Sequence, residues 1–294
     1  MRLVTFSDAA GTRIGIHDPA TGTVVDLAAG TRLPRDMTAF IRLGRKGLAR
    51  ARRAVRSGEG RISLAAVKLH APIPRPAKNI LCVGKNYHEH AREFHSSGVD
   101  ATGKEAVPEV PIMFTKWPNS VIGPGEPIPA ASDYTDSTDY EGELAVVIGE
   151  GGRNIDGKDA YDHVYGYTIV NDVTARTLQN RHRQWFLGKS LDGYCPMGPC
   201  IVTADEVKDV GKLRLVTRVN GEVRQDAMVS DLIFDIPALI ATVSRVMTFD
   251  PGDLIATGTC AGVGIGFDPP RYLKKGDVVA VTIEPIGTLE SPVG

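Results

Sequence analysis

Glu141 and Glu143 are the residues from which a chemistry can first be built. They lie in Asp139-Tyr140-Glu141-Gly142-Glu143-Leu144-Ala145-Val146-Val147-Ile148-Gly149, where a β-branched apolar run closed by glycine predicts a strand. Two carboxylates two residues apart on a strand project from one face. Side by side they repel unless a positive charge lies between them, and all-oxygen ligation favours a hard ion, Mg²⁺, Mn²⁺ or Ca²⁺, over zinc. Glu-x-Glu alone is more ordinarily a solvated strand face, so the reading needs a third ligand. The apolar segment from Val164 to Val170 runs into Asn171-Asp172, and an acid at the end of such a strand is costly to bury unpaired. Asp172 is the candidate.

A base is available upstream. The short apolar strand Asn79-Ile80-Leu81-Cys82-Val83-Gly84 leads into Lys85-Asn86-Tyr87-His88-Glu89-His90-Ala91-Arg92-Glu93-Phe94. If that second piece is helical, His90 and Glu93 share a face at i, i+3, and a carboxylate-oriented imidazole is the usual form of a general base. His88 and His90 also offer His-x-His, although surface histidines on a helix are commoner than ligands. The zincin spacing fails, because Arg92 stands four residues after His88. Lys189 lies among apolar and turn residues, where snorkelling to the surface is the ordinary reading and charge toward an anionic substrate the alternative. From His95 to Val110 the chain is polar and aperiodic, either a lid over substrate or a loose loop.

The elements that must position these groups fit a turn-rich, largely β protein. The chain has 294 residues, a net charge of −1, few aromatics and plentiful Gly and Pro. That length suits one large domain with a small one. No charge imbalance points to nucleic acid or membrane, no apolar run reaches transmembrane length, and the alternating Met1 to Phe6 lacks a leader's apolar core, so a cytoplasmic location is expected. Cys82, Cys195, Cys200 and Cys260 have no Cys-x-x-Cys spacing and read as reduced, mostly buried thiols. Residues 1–70 read as a small α+β domain, with strands near Leu3, Ile14 and Val24 and an Arg-rich helix from Met37 to Arg56 whose basic face reads as a solvated one, with a nucleic-acid or anionic-lipid contact as the alternative. A Pro-rich link, Ala71 to Pro76, then opens the catalytic domain at 71–294.

Further on, Leu213 to Gln225 predicts a hairpin about a type I′ Asn220-Gly221 turn. Asp235 and Pro237 start a helix whose Leu239, Ile240, Val243, Val246 and Met247 are expected in the core. The Asp133, Asp136, Asp139 series is spaced by three and is not a calcium loop, and Gly262-Val263-Gly264-Ile265-Gly266 lacks the sixth-position glycine of a dinucleotide loop. It reads as a loop beside a pocket or a plain tight turn.

Taken together, the ordered blocks Val83-Gly84-Lys85-Asn86-Tyr87 with His90 and Glu93, Asp139 to Leu144, Asn171 to Arg176, Gly188-Lys189-Ser190, Asn220-Gly221-Glu222, Pro251-Gly252-Asp253 and Thr257-Gly258-Thr259 resemble the fumarylacetoacetate hydrolase family, in its bacterial acylpyruvate and diketo-sugar-acid branch. The resemblance implies an α+β, mainly β fold with a mixed β-roll catalytic domain, and a homodimer. It implies Mg²⁺ or Mn²⁺ on Glu141, Glu143 and Asp172, a His90–Glu93 lid dyad, and Lys189 in the site. Lys85, Tyr87, Lys116, Arg176, Gln225 and Thr259 are the corresponding substrate-contact candidates. Two positions depart from the family pattern: Thr177 stands where an Asp is usual, and Cys260 where a Pro is. The activity implied is hydrolytic C–C cleavage of a 2,4-dioxo acid, with an oxaloacetate-type decarboxylase or 2-oxo acid isomerase as the alternative, since all pass through an enolate. A binding module that has lost turnover is the third reading, and retention of a general base argues against it.

Overall fold

The computed structural model describes residues 1–29, 32–96 and 107–294, so most of the stretch read as lid or loop lies outside the described residues. Three strands open the chain, β1 (Arg2–Asp8), β2 (Gly11–Asp18) and β3 (Thr23–Asp26). The expected basic helix is two helices: α1 (Met37–Ile41), capped by Asp36, and α2 (Gly44–Ser57). Gly44, at φ 50°, makes the break, and Gly58, at φ 74°, closes α2 in the left-handed conformation that favours glycine. Exposed arginines cover the outer side of α2, and Arg52 reaches Asp205 at 2.6 Å. After the short β4 (Arg61–Ser63) and β5 (Lys68–His70) come β6 (Ile80–Gly84), α3 (His88–Ser96), β7 (Ile112–Lys116) and β8 (Val121–Ile122).

The acidic segment forms β9 (Thr138–Asp139) and β10 (Gly142–Ile148), followed by β11 (Val164–Asn171) and β12 (Thr174–Ala175). Two short helices, α4 (Arg176–Arg181) and α5 (Phe186–Lys189), lead to β13 (Cys195–Thr203). Then β14 (Arg214–Val219) and β15 (Glu222–Met228) make the expected hairpin, with Asn220 and Gly221 at φ 52° and 82° in its turn. The chain ends with α6 (Ile236–Ser244), β16 (Leu254–Thr259), β17 (Val278–Ile283) and β18 (Gly287–Pro292).

Among the described residues twelve strands share one mixed sheet, in the path β4-β3-β2-β1-β13-β11-β10-β16-β6-β7, with β5 beside β1 and β8 beside β13. The N-terminal strands extend this sheet, because β1 pairs with β13 at Leu3 and Ile201. A second sheet, β15-β14-β17-β18, packs behind it. Every residue of β10 and β11 is buried, which explains their nearly unbroken apolar sequence. Each buried Val, Leu or Ile there contributes about 1.5–3 kcal/mol. The fold is therefore mainly β.

Gly142, between the two glutamates, is where the sheets meet. A side chain there would place its Cβ 2.3 Å from Thr217 Oγ1 and 2.9 Å from Val281 Cγ1. The Glu-Gly-Glu pattern thus turns acids to one face and clears the other for the second sheet. On α6, Asp235 caps Ala238 and the buried face includes Leu239, Ile240 and Val243, but Val246 and Met247 are 68% and 44% exposed and not in the core. The helix stops at Ser244, so the periodicity that would have buried them stops too.

Candidate functional site

The antiparallel pairing of β10 with β11 sets Gly142 opposite Asn171, and Asp172 N–H donates to the Glu141 carbonyl at 2.8 Å. Asn171 Oδ1 accepts from Glu141 N–H at 2.9 Å, which ties both strand ends together. As a result Glu141, Glu143 and Asp172, all buried, each bring a carboxylate oxygen within 4.8 Å of the others.

Three cations hold this cluster. Lys189 Nζ lies 2.8 Å from Glu141 Oε2 and 2.7 Å from Asp172 Oδ2. It is 2% exposed, which corrects the snorkelling reading: α5 starts on buried Trp185 and turns its last residue inward. Lys116 Nζ lies 2.6 Å from Asp172 Oδ1 and also donates to the carbonyls of Val173 and Lys189. Arg176 Nη1 is 2.6 Å from Glu141 Oε1, and its Nε donates to Asp139 Oδ2 at 2.8 Å. Burial works against charge on Glu141, yet the Lys189 and Arg176 cations overcome it and hold its carboxyl at about 2.

Glu143 differs. Its Oε2 accepts from Gly258 N–H at 2.9 Å, and among the described residues no cation lies within ion-pair distance. Burial first, then the charges of Asp172 and Glu141, push its carboxyl well above the ordinary carboxylate range. Lys116, Arg176 and Lys189 are thus paired with Asp172, Asp139 and Glu141, which leaves Glu143 as the one carboxylate of the cluster without an ion-pair partner among the described residues. A surplus of negative charge on an all-oxygen donor set is the chemistry a hard divalent ion fits, and the residues present fit Mg²⁺ or Mn²⁺. Glu141, Glu143 and Asp172 would hold it.

The dyad sits on α3. His90, buried, has Nδ1 3.1 Å from Glu93 Oε2, and Glu93 Oε1 accepts from Gly262 N–H at 2.9 Å. The glycine loop therefore serves as a backbone clamp: Gly264 and Ile265 N–H groups hold Asp139 in the same way, at 2.7 and 3.0 Å. His88 is exposed, away from His90, so no His-x-His site forms.

A narrow cavity of about 10 Å³ lies over these groups, walled by Lys85, His90, Glu141, Arg176, Lys189 and Thr259 on its polar side. Phe94, Phe114 and Trp185 form the apolar side. Of the substrate-contact candidates, Lys85, Arg176 and Thr259 line it. Tyr87 faces a separate groove with Leu232 and Cys260. Lys116 is spent on Asp172 and carbonyls. Gln225 is a strut: its Nε2 donates to Thr259 Oγ1 and the Cys260 carbonyl, both at 2.7 Å, and its Oε1 accepts from Gly142 N–H at 3.0 Å. Thr177 is exposed, its N–H bonded to Ser137 Oγ, and Cys260 is buried with its thiol pushed up to about 12 by burial.

Sequence reasoning passed over three residues of the site. Asp139 clamps Arg176, a partnership that buried charge alone could have signalled. Gln179 accepts from Arg176 Nη1 at 3.2 Å, an i, i+3 pair on α4. Trp185, four residues before Lys189, accepts the Lys189 N–H on its carbonyl at 3.0 Å.

Fold and site define an α+β protein, mainly β, in which a buried acid cluster able to hold a hard cation faces a histidine–glutamate dyad. Residues 79–294 match the fumarylacetoacetate (FAA) hydrolase C-terminal family, and the chain belongs to the fumarylacetoacetate hydrolase family. It is 55% identical over 233 residues to oxaloacetate tautomerase YisK of Bacillus subtilis, covering 79% of this chain and 75% of that protein. The mitochondrial oxaloacetate tautomerase fahd2 of Xenopus laevis is 40% identical over 298 residues, covering 100% of this chain and 90% of that one. Among solved structures, maleylpyruvate hydrolase from Sphingobium sp. SYK-6, in complex with manganese(II) and pyruvate, superposes with a TM-score of 0.79 at 33% identity over 100% of this chain and 98% of that one. Among the described residues no helix is long and apolar enough to cross a membrane.

Proposed function

We propose that this chain interconverts the keto and enol forms of a short 2-oxo diacid of the oxaloacetate type, as a homodimer that uses Mg²⁺ or Mn²⁺. The observation that carries the diacid is on Arg176, which lines the cavity and whose buried Nη2 has no hydrogen-bond partner among the described residues. A buried guanidinium nitrogen left unpaired is costly, and a second substrate carboxylate would satisfy it with a charge-assisted bond. The relatives named oxaloacetate tautomerase support the same substrate class.

A metal held by Glu141, Glu143 and Asp172 would supply Lewis acidity toward the oxo acid. The residues of the chain supply the rest. Glu93 favours the imidazole tautomer with its proton on Nδ1, leaving Nε2 of His90 to take a proton from C3. Charge then develops on the 2-oxo oxygen. Burial lowers the proton affinity of Lys189, but Asp172 and Glu141 outweigh it and raise it, so Lys189 keeps its proton and lends charge where the enolate forms. The same imidazolium returns the proton in the opposite direction, and no water is consumed.

The test is the decay of enol oxaloacetate in Mn²⁺, followed by ultraviolet absorbance. His90→Ala should slow it by about 10²- to 10⁴-fold, the usual contribution of a general base. An unchanged rate removes His90 from the chemistry. A second reading, hydrolysis of an acylpyruvate, draws on the pyruvate-bound maleylpyruvate hydrolase and requires His90 to activate water instead. Acetylpyruvate in the same assay separates them, since hydrolysis releases pyruvate and acetate. Light scattering checks the dimer.

A further inference from the structure

We propose that Trp185 is the specificity-determining roof of the cavity, limiting the group beyond C3 of the oxo acid to a short one. The inference rests on the reading of the site as one for 2-oxo acids. Trp185 is 8% exposed and lies just ahead of α5. Its ring meets Phe94 edge-on, with centroids 5.9 Å apart and planes at 82°, and Phe114 at 5.2 Å and 73°. Edge-to-face rings at this spacing attract beyond their buried area and lock one another's rotamers.

The ring also reaches β6. A Cβ on Gly84 would lie 2.4 Å from Cζ3 and 2.8 Å from Cη2 of Trp185, so glycine is what lets the indole close over the strand end. Three elements therefore meet at one side chain: α3 through Phe94, β7 through Phe114, and β6 through Gly84. The space left between the rings and the polar groups is about 10 Å³, room for roughly one water, so the aromatic side chains stand close over the site. The polar side chains are fixed by ion pairs and backbone bonds, whereas the rings pack on one another and on the site's cations, Lys189 Nζ lying 4.9 Å from the Phe114 centroid and Arg176 Cζ 6.0 Å from that of Phe94. Size is thus set on the aromatic side, and by its largest ring.

The experiment compares oxaloacetate with phenylpyruvate, a 2-oxo acid with a bulky apolar group at C3, in wild type, Trp185→Leu, Trp185→Ala and Trp185→Phe, each loaded with Mn²⁺ and checked for folding by thermal melt. Wild type should favour oxaloacetate. In Trp185→Leu and Trp185→Ala the kcat/KM ratio of phenylpyruvate to oxaloacetate should rise by about tenfold or more, the scale on which pocket size discriminates. Trp185→Phe, which keeps an aromatic ring, should stay near the wild-type ratio. A general loss of structure would lower both substrates together and leave the ratio where it was. An unchanged ratio in folded Trp185→Leu and Trp185→Ala, or a wild type that turns over both equally, overturns the roof. Calorimetric binding of pyruvate and phenylpyruvate reads the roof without turnover: tighter phenylpyruvate binding in Trp185→Ala than in wild type supports it, and equal binding overturns it. Absence of tautomerase activity in wild type, with this shift in binding intact, would instead count against the proposed reaction.

Discussion

At the N-terminal end of the large sheet, Arg13 on β2 holds Asp8 at 2.7 Å and Asp26 at 2.5 Å, while at the centre of the same sheet Lys189, Lys116 and Arg176 hold Glu141, Asp172 and Asp139. Each cluster has one more carboxylate than ion-paired cations among the described residues. The difference lies in where the surplus sits. Asp8 is partly exposed, and Asp26 takes N–H bonds from Ala28 and Ala29, so water and backbone dipoles carry the extra charge. Glu143 is 1% exposed, with one backbone donor from Gly258. The first cluster is complete as it stands, and Arg13 also stacks over Phe6 at 4.4 Å. The second leaves one buried carboxylate without a cation, a place that a proton or a bound metal ion would fill.

If that contrast is right, its largest consequence is in metal affinity. Glu143→Gln should weaken Mn²⁺ binding by about 100-fold or more, read by calorimetry, because it removes a charged ligand from a hard-ion set. Asp26→Asn should leave it unchanged. Equal losses in both would dissolve the distinction. The next effect is on metal-free stability, and the two clusters should move in opposite directions. Glu143→Gln removes a carboxyl that the metal-free fold must keep protonated and should raise the melting temperature near neutral pH by several degrees, at roughly 2–4 °C for each kcal/mol. Arg13→Ala leaves Asp8 and Asp26 facing each other without their cation and should lower it.

The legible part of this contrast was local. Strand alternation gave Glu141 and Glu143 one face, and an acid at the end of an apolar strand pointed to Asp172. The i, i+3 spacing of His90 and Glu93 paired them before any coordinates did. What the sequence withheld depends on contacts between distant segments. Arg176 and Asp139 are 37 positions apart, and Lys116 and Asp172 are 56 apart, so no periodicity links them. Gln225 looks like a free amide in a hairpin, yet its hydrogen bonds brace β10 against the Thr259–Cys260 corner. Trp185 is apolar in a short helical stretch, and only Gly84 and the two Phe rings turn it into a wall. Val246 and Met247 failed for a different reason: their helix ended one turn early.

The smallest predicted effect is a difference in the sign of two pH slopes. Asp8 is held at about 2, against an ordinary 3.8, chiefly by its hydrogen bonds to Arg13. A carboxyl depressed in the folded state contributes stability above its unfolded value and loses it as pH falls through the folded one. Glu143 is raised, so the folded chain keeps a proton that the unfolded chain has released. Stability then falls as pH rises from the ordinary 4.5 toward the folded value. Metal-free thermal melts from pH 2 to 8 should therefore show an acid limb that flattens in Asp8→Asn and a neutral limb that flattens in Glu143→Gln. Bound Mn²⁺ takes the place of that proton, so the neutral limb should also disappear in the loaded wild type. A neutral limb that persists in Glu143→Gln would move the surplus charge to another carboxylate of the cluster, and with it the residue through which the metal is recognised.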